Sequence, residues 1–258
     1  MLLNDNTPLA ERMLANYENR YQFEIPRRTY TILRIDGRAF HTFTAKMEKP
    51  FDSELSSAMD RAAIALCSQA TGCAFAYGQS DEYSFLLTDF ASPQTEAWFG
   101  GGLQKIVSVA ASVFTMAFNQ SPVRIPPSAT FDCRAFIIPD PIEVENYFLW
   151  RQQDAARNSV QMVGRSIYSH SQLENLSCDE IQEKLFRERG LNWNDTPTKW
   201  KRGRVVRREI YPVDVTVGDT VTMTQRSRWV VDNEIPMFTA DRQYLINLIP
   251  QMEARRTT

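Results

Sequence analysis

The sequence predicts an α+β fold of the ferredoxin-like type, in which strands and helices follow in the order βαββαβ. Three observations predict it. Four short apolar segments rich in Ile, Phe, Tyr and Leu are typical of strands, namely residues 30–36, 73–77, 83–87 and 130–138. Helical patterns connect the first strand to the second and the third to the fourth, and a short polar tip joins the second to the third. We therefore expect an antiparallel sheet with helices on one face.

Each connecting helix has local signals of its own. Asp52 or Ser53 is suited to cap the first helix, and Gly72 follows its end. Its apolar face is formed by Leu55, Met59, Ala62, Ala63 and Leu66. The second helical pattern covers residues 95–119 and is interrupted or started by three glycines at 100–102, which lack the Lys-Ser/Thr ending of a phosphate-binding loop. A loop with three prolines, at 122–127, precedes the last strand.

The second half of the chain has both helical and strand patterns. Residues 141–168 have a helical pattern, and a further helix begins after Ser177, with Glu180 completing a capping box and Gly190 beyond its end. Two β-rich runs, 204–217 and 220–231, are separated by a turn at Gly218 and Asp219. We expect a catalytic core at residues 1–140 and an elaboration at 141–258 that packs on it as one continuous domain.

Composition limits the classes of protein. At 258 residues, 43% apolar and 23% charged, the chain has the composition of an ordinary soluble protein without a membrane-spanning run. The first residues lack the features of a signal peptide, and four cysteines without paired spacing favour reduced thiols, so we expect a cytoplasmic protein. Only two histidines are present, which excludes a histidine-rich metal site.

A densely basic segment occupies residues 199–208, although the net charge is only −2. Basic residues around an aromatic suit a nucleic-acid backbone, and the alternative is a solvated strand pair with its charges outward. The candidate RNA-binding residues are Lys199, Lys201, Arg202, Arg204, Arg207 and Arg208.

Two acidic positions are expected to meet. In the predicted fold the first and third strands are central antiparallel neighbours, so Asp36, at the end of one, lies beside Asp81 and Glu82, at the start of the other. Carboxylates forced together repel each other unless a proton or a cation intervenes. Magnesium is the expected cation because it prefers oxygen ligands and leaves positions open for substrate phosphates. A solvated acidic turn is the alternative for the Asp81–Glu82 tip alone.

The turn after the first strand is a candidate cradle for a triphosphate. Its successive backbone amides and the charge of Arg38 suit an anion, and the turn consists of Gly37, Arg38, Ala39, Phe40 and His41. Lys49 and Lys105 are candidates for reaching the same phosphates, against the alternative of ordinary surface lysines. A structural role is the alternative for His41.

Several segments together resemble the tRNA-histidine guanylyltransferase family. They are RIDGRAFH (34–41), KP (49–50), YGQSDEYSF (77–85), FDCR (131–134) and WRQ (150–152), in colinear order. The resemblance implies a polymerase-type palm that adds nucleotides to the 5′ end of tRNA in the 3′-to-5′ direction, after ATP or GTP activates the 5′-phosphate. It also implies a homotetramer.

The resemblance further implies residue roles. Asp36, Asp81 and the Gly37 carbonyl would hold two Mg²⁺ ions, with Glu82 beside them as a third catalytic residue. Arg38, Phe40 and His41 would bind triphosphate, with Ala39 in the same turn. Lys49, Ser80, Lys105 and Asn158 would assist nucleotide binding.

Departures from the family pattern refine the expected substrate. Eukaryotic members carry a His-Ile-Asn-Asn-Leu-Tyr-Asn run where this chain has residues 156–162, of which only Asn158 matches, and an Arg-Arg pair where it has Gly101 and Gly102. We therefore expect template-dependent repair of 5′-truncated tRNA, with addition of guanosine to tRNA(His) as the alternative. A nucleotide cyclase without an RNA partner and a non-catalytic RNA-binding module are further alternatives.

Overall fold

The computed structural model describes residues 6–92, 94–121, 129–217 and 220–252, and it is built on a six-stranded antiparallel sheet. The strands are β1 (Tyr30–Gly37), β2 (Cys73–Gln79), β3 (Glu82–Leu87), β4 (Phe131–Ile138), β5 (Arg204–Val217) and β6 (Thr220–Asp232). Their spatial order is β4-β1-β3-β2-β5-β6, and every adjacent pair is antiparallel. The predicted central pairing of the first and third strands is confirmed.

The helices lie between and after these strands. They are α1 (Leu9–Asn16), α2 (Phe40–Phe43), α3 (Ser53–Gln69), α4 (Leu103–Asn119), α5 (Pro141–Ile167), α6 (His170–Leu173), α7 (Cys178–Arg189), α8 (Thr198–Arg202) and α9 (Gln243–Leu248). The predicted order of strand, helix, two strands, helix and strand is confirmed by β1, α3, β2, β3, α4 and β4. Across the described ranges, no helix combines the length and the apolar character that spanning a membrane requires.

Local signals placed the starts of α3 and α7 correctly. The Asp52 carboxylate accepts a hydrogen bond from the amide of Leu55 at the start of α3, and Ser177 and Glu180 form the predicted capping box of α7. The second connecting helix is shorter than predicted, because residues 98–101 form a 3-10 turn before Leu103. Gly100 and Gly101 have φ angles of 64° and 87° there, which interrupts the helix.

The two helices of the βαββαβ unit lie on one face of the sheet, as predicted, and helices of the second half of the chain cover the other face. Helices α3 and α4 pack on the side chains of Leu33, Ile35 and Phe85. Helices α5 and α9 pack on the opposite face, against Ile32 and Leu86. The sequence pattern did not show this because interior strands that are buried on both faces are continuously apolar.

Strands β5 and β6 form a long ribbon that extends the sheet beyond β2. Only residues 204–207 of β5 pair with β2, and the rest of β5 pairs with β6 alone. The second half of the chain thus adds two strands to the sheet of the first half. The predicted turn at Gly218–Asp219 and the predicted proline loop at 122–127 lie outside the described residues.

Candidate active site

The ends of β1 and β3 bring Asp36 and Asp81 to one edge of the sheet. Asp36 is the register partner of Glu82, and the amide of Gly37 donates a 3.1 Å hydrogen bond to the carbonyl of Asp81. Ser80 and Asp81 form the tight connection between β2 and β3, with Ser80 in a left-handed conformation (φ 48°). Strand pairing thus brings together two aspartates that are 45 positions apart in the sequence.

The electrostatics of this pair favour a cation. Burial, together with the charge of Asp36, raises the pKa of Asp81, although a hydrogen bond with Ser80 opposes the shift. No group of three or more His, Cys, Asp or Glu side chains is arranged to hold a metal ion in the part of the chain that the structure describes. Two carboxylates and a carbonyl still suit Mg²⁺, which binds proteins through one or two carboxylates and takes its other ligands from water and substrate phosphates.

Glu82 is engaged with α5. Its carboxylate accepts hydrogen bonds of 3.0 and 3.3 Å from the buried guanidinium of Arg151. The same guanidinium donates a 2.7 Å hydrogen bond to Asp154. Burial raises the pKa of Glu82, and the charge of Arg151 opposes that rise. Glu82 therefore lies beside the aspartate pair, as expected, but as half of an ion pair.

An open cleft adjoins the aspartates. Asp36, Gln79, Ser80, Asp81 and Glu82 line one side of it. The other side is a face of α5, formed by Asp154, Asn158, Gln161, Met162 and Arg165. Sequence reasoning selected only Asn158 from that helix. The signal was present, because polar residues at 154, 158, 161 and 165 recur with the period of one helical face.

The turn at 37–41 is only partly free to bind an anion. The amides of Gly37 and Arg38 already donate to the carbonyls of Asp81 and Thr130. Among the described residues, no acceptor is found for the amides of the next three residues, at 39–41, which begin α2. Ala39 and the side chains of Arg38 and His41 are exposed.

The side chain of Phe40 is buried and is not available to bind triphosphate, contrary to the expectation. The ring is 4% exposed and packs against Phe43 and Phe131 at centroid distances of 4.9 and 5.0 Å. An apolar residue that begins a short amphipathic helix points into the core, so only the backbone of Phe40 remains available to a phosphate.

The two candidate lysines are far apart. Lys49 is exposed, and its ammonium donates a 3.0 Å hydrogen bond to the carbonyl of Thr44, in the loop that follows α2. Lys105 lies near the start of α4 with its ammonium over the ring of Phe99. It is separated from the aspartates by most of α4, about 20 Å at 1.5 Å per residue. The structure does not bring Lys105 to this site. The end of α4 that lies near the site is its apolar C-terminal end, where Phe118 contacts Phe40, and Lys105 is at the opposite end.

The basic segment at 199–208 is not one surface. Arg204 is 1% exposed and forms an ion pair with Asp60, so it cannot contact RNA, contrary to the prediction. Arg207 is half-buried and is paired with Asp232. Both arginines lie in the part of β5 that pairs with β2. The remaining candidates lie nearer the surface, in α8 and β5: Lys199, Lys201, Arg202 and Arg208.

Comparison with known proteins agrees with this geometry. The family model for tRNA(His) guanylyltransferase matches residues 11–139. A tRNA(His) guanylyltransferase of Debaryomyces hansenii is 33% identical over 78% of this chain and 80% of its own length. The chain belongs to the tRNA(His) guanylyltransferase family.

Solved structures of this family extend the match over nearly the whole chain. A bacterial tRNA(His) guanylyltransferase-like protein in complex with ATP superposes with a TM-score of 0.84 at 40% identity, covering 95% of this chain and all of the other. The corresponding GTP complex gives a TM-score of 0.78 at 40% identity, covering 93% and 98%. Members of the tRNA(His) guanylyltransferase family are nucleotidyltransferases, and this chain is an enzyme of that class.

Proposed function

We propose that this chain adds nucleotides to the 5′ end of tRNA, on a polymerase-type palm formed by β1 to β4. The observation that carries the proposal is the Asp36–Asp81 pair beside an open cleft in a nucleotidyltransferase chain. The 5′-phosphate of the RNA would attack the α-phosphorus of ATP or GTP and release pyrophosphate. The 3′-hydroxyl of the incoming nucleotide would then displace the nucleoside monophosphate and form the new phosphodiester.

Asp36, Asp81 and the Gly37 carbonyl are the residues that would hold the two Mg²⁺ ions. Bound there, the metal would neutralise phosphate charge and lower the pKa of an attacking hydroxyl. Burial of Asp81, with the charge of Asp36 beside it, raises the pKa of Asp81 and supports this assignment, because a cation would compensate the buried charge and relieve the repulsion between the two carboxylates. Glu82, held by Arg151, would contribute negative charge without leaving its partner.

The nucleotide would bind along the cleft and the turn at 37–41. Binding of ATP and GTP by the bacterial relative supports both as substrates. The amides at 39–41 and the side chain of Arg38 would hold the triphosphate. Ser80 and Asn158 line the cleft, and Lys49 and His41 are exposed beside the same turn. Lys105, near the start of α4, does not line this cleft.

Among substrates, the comparisons favour addition of guanosine to tRNA(His) over template-dependent repair. Relatives from Debaryomyces hansenii and Schizosaccharomyces pombe are named tRNA(His) guanylyltransferases. Repair is the second candidate, and the composition of α5 favours it. Of residues 156–162, only Asn158 matches the eukaryotic run, and the departing residues Gln161 and Met162 also line the cleft, where base pairing to an opposing strand could replace side-chain recognition.

One assay tests both substrates. Purified enzyme is incubated with Mg²⁺, ATP and labelled nucleotides on 5′-phosphorylated tRNA(His) and on truncated tRNAs that differ only in the base opposite the missing position. Guanosine added to tRNA(His) whatever the opposing base supports guanylyltransfer. Addition that follows the opposing base in any tRNA supports repair. Failure to extend any of these RNAs would contradict the proposed function.

A further inference from the structure

A row of side chains beside Asp36 has no role in the site described above. Residues that are register partners on neighbouring strands point to the same face, so Asp36, Arg34 and Ile32 of β1 lie opposite Asp132, Arg134 and Phe136 of β4. These residues share the face on which α5 packs. Strand β4 is an edge of the sheet, and there this face is partly open: Arg134 and Phe136 are exposed.

The arginines in this row lack hydrogen-bonded anions. Arg34 and Arg134 are directly opposite each other, an arrangement that repulsion between like charges disfavours. The guanidinium of Arg134 is 3.7 Å from Asp36 and 3.8 Å from Asp132, too far for a hydrogen bond. Within the described ranges Arg34 makes no ion pair or side-chain hydrogen bond, and its buried Nε has no acceptor. An anion held between the two guanidinium groups would satisfy both.

Aromatic rings continue the row away from Asp36. Phe136 meets Tyr147 of α5 edge to face at 5.6 Å, and Tyr147 meets Trp150 in the same way at 5.9 Å. Tyr147 is buried, with its hydroxyl 2.8 Å from that of Ser84, so it holds its neighbours in place. Phe136 and Trp150 are 37% and 46% exposed. The outer strip, which we define as Arg34, Arg134, Phe136 and Trp150, thus combines two arginines without hydrogen-bonded anions with two partly exposed rings. The guanidinium of Arg151 lies 3.9 Å from the centroid of the Trp150 ring, so a base would stack on the ring's other face.

We infer that the outer strip binds the unpaired RNA strand that faces the 5′ end being extended, with a phosphate between Arg34 and Arg134 and bases stacked on Phe136 and Trp150. Aromatic rings and guanidinium groups in one row are the elements by which proteins hold single-stranded RNA. A base inside a duplex is covered on both faces by its stacked neighbours, so duplex RNA fits less well. This inference rests on the proposed function, because it requires an RNA substrate at Asp36.

The decisive measurement is the affinity for two RNA hairpins with the same 5′-phosphorylated stem, one blunt and one with an unpaired 3′ strand. Fluorescence anisotropy over a salt series gives both the affinity and its salt dependence. The test variants are R34M, R134Q and F136L. The matched controls are R187Q and F186L, which alter exposed residues of α7. Thermal melts verify that each variant is folded.

The wild type is expected to prefer the RNA with the unpaired strand. F136L should weaken its binding about tenfold. R34M and R134Q should each weaken it and reduce the slope of log K against log salt by about 0.7. Binding of the blunt hairpin and the KM for ATP should stay as in the wild type, as should all properties of the α7 controls.

Two outcomes would overturn the inference. One is that folded R34M, R134Q and F136L keep the wild-type preference for the unpaired strand. The other is that their KM for ATP rises while RNA affinity is unchanged, which would assign the arginines to the nucleotide. Failure of the proposed function is a separate result, because it appears as absence of nucleotide addition by the wild-type enzyme.

Discussion

At the scale of single residues, the surroundings of Asp81 disfavour the charged form of its carboxyl group. Burial and the neighbouring Asp36 raise the pKa of Asp81, so the folded state favours its protonated form more than the unfolded state does. Stability from this group is therefore complete below the ordinary aspartate pKa of about 4 and is lost as pH rises through the higher folded pKa. At neutral pH, the charge that the enzyme needs destabilises the fold.

Asp81→Asn should therefore abolish nucleotide addition while stabilising the protein. We expect Tm to exceed that of the wild type at pH 7, and the difference to shrink as pH falls toward 4. Melting curves across pH without Mg²⁺, paired with an addition assay, measure both effects. Asp214→Asn, at an exposed position on β5, is the control. A variant that keeps near-normal turnover would remove Asp81 from the metal site.

A second prediction at this scale concerns the buried Arg204. Its guanidinium pairs with Asp60, which also accepts a 2.6 Å hydrogen bond from the hydroxyl of Tyr83. Arg204→Met leaves Asp60 without its cation and should lower the free energy of unfolding by about 3–5 kcal/mol. Arg208→Met, at an exposed position on the same strand, should cost less than about 1 kcal/mol. Equal midpoints in urea unfolding would contradict the structural role of Arg204.

Among the elements, α5 is the one that joins the site to the rest of the molecule. Arg151 binds it to β3 through Glu82, and the side chain of Gln152 bonds to the backbone at Pro236 and Phe238. The next turns of the same helix carry Asp154 and Asn158 into the cleft. The position of the cleft wall that α5 forms therefore depends on the side chains of Arg151 and Gln152.

Arg151→Met tests this dependence. The change leaves Glu82 with little solvent and no hydrogen-bonded cation, so we expect a loss of about 3 kcal/mol in stability. The nucleotide KM should also rise, because the helix face bearing Asn158 is no longer fixed. Arg157→Met removes an exposed partner of the same Asp154 and should change neither property much. Similar stability for the two variants would show that the buried pair does not anchor α5.

At the scale of the whole molecule, the two halves of the chain complete one sheet. Strand β5 pairs with β2, and α5 covers the face that includes Ile32 and Leu86. The expected division at residue 140 therefore separates regions of sequence that share the hydrophobic clusters on both faces of the sheet.

A fragment of residues 1–140 should not fold on its own. It would expose the α5 face of the sheet and leave β2 as an unprotected edge, which promotes aggregation. Circular dichroism melts and hydrogen exchange of the fragment are the measurements, with the full chain as control. A cooperative melt with protected amides in β1 and β3 would show instead that the first half is an independent domain.

Local patterns in the sequence determined the elements and, with the fold class, the meeting of the two acidic positions. Short-range rules account for the strand and helix periods and for the capping residues Asp52 and Ser177. The strand order that brings Asp36 to Asp81 follows from the small number of ways to order four strands. Family motifs added the enzyme class. These features depend on neighbours in the chain or on the fold class alone.

Only the tertiary structure decided which side chains are free to act. A charged residue in a basic run and one in a buried pair look alike in sequence, so the burial of Arg204 required the pairing of β5 with β2. Lys105 was separated from the site by the length of α4, and Arg34 met Arg134 through strand register. Exposure, distance and partners come from contacts between residues far apart in the chain, and no local pattern encodes them.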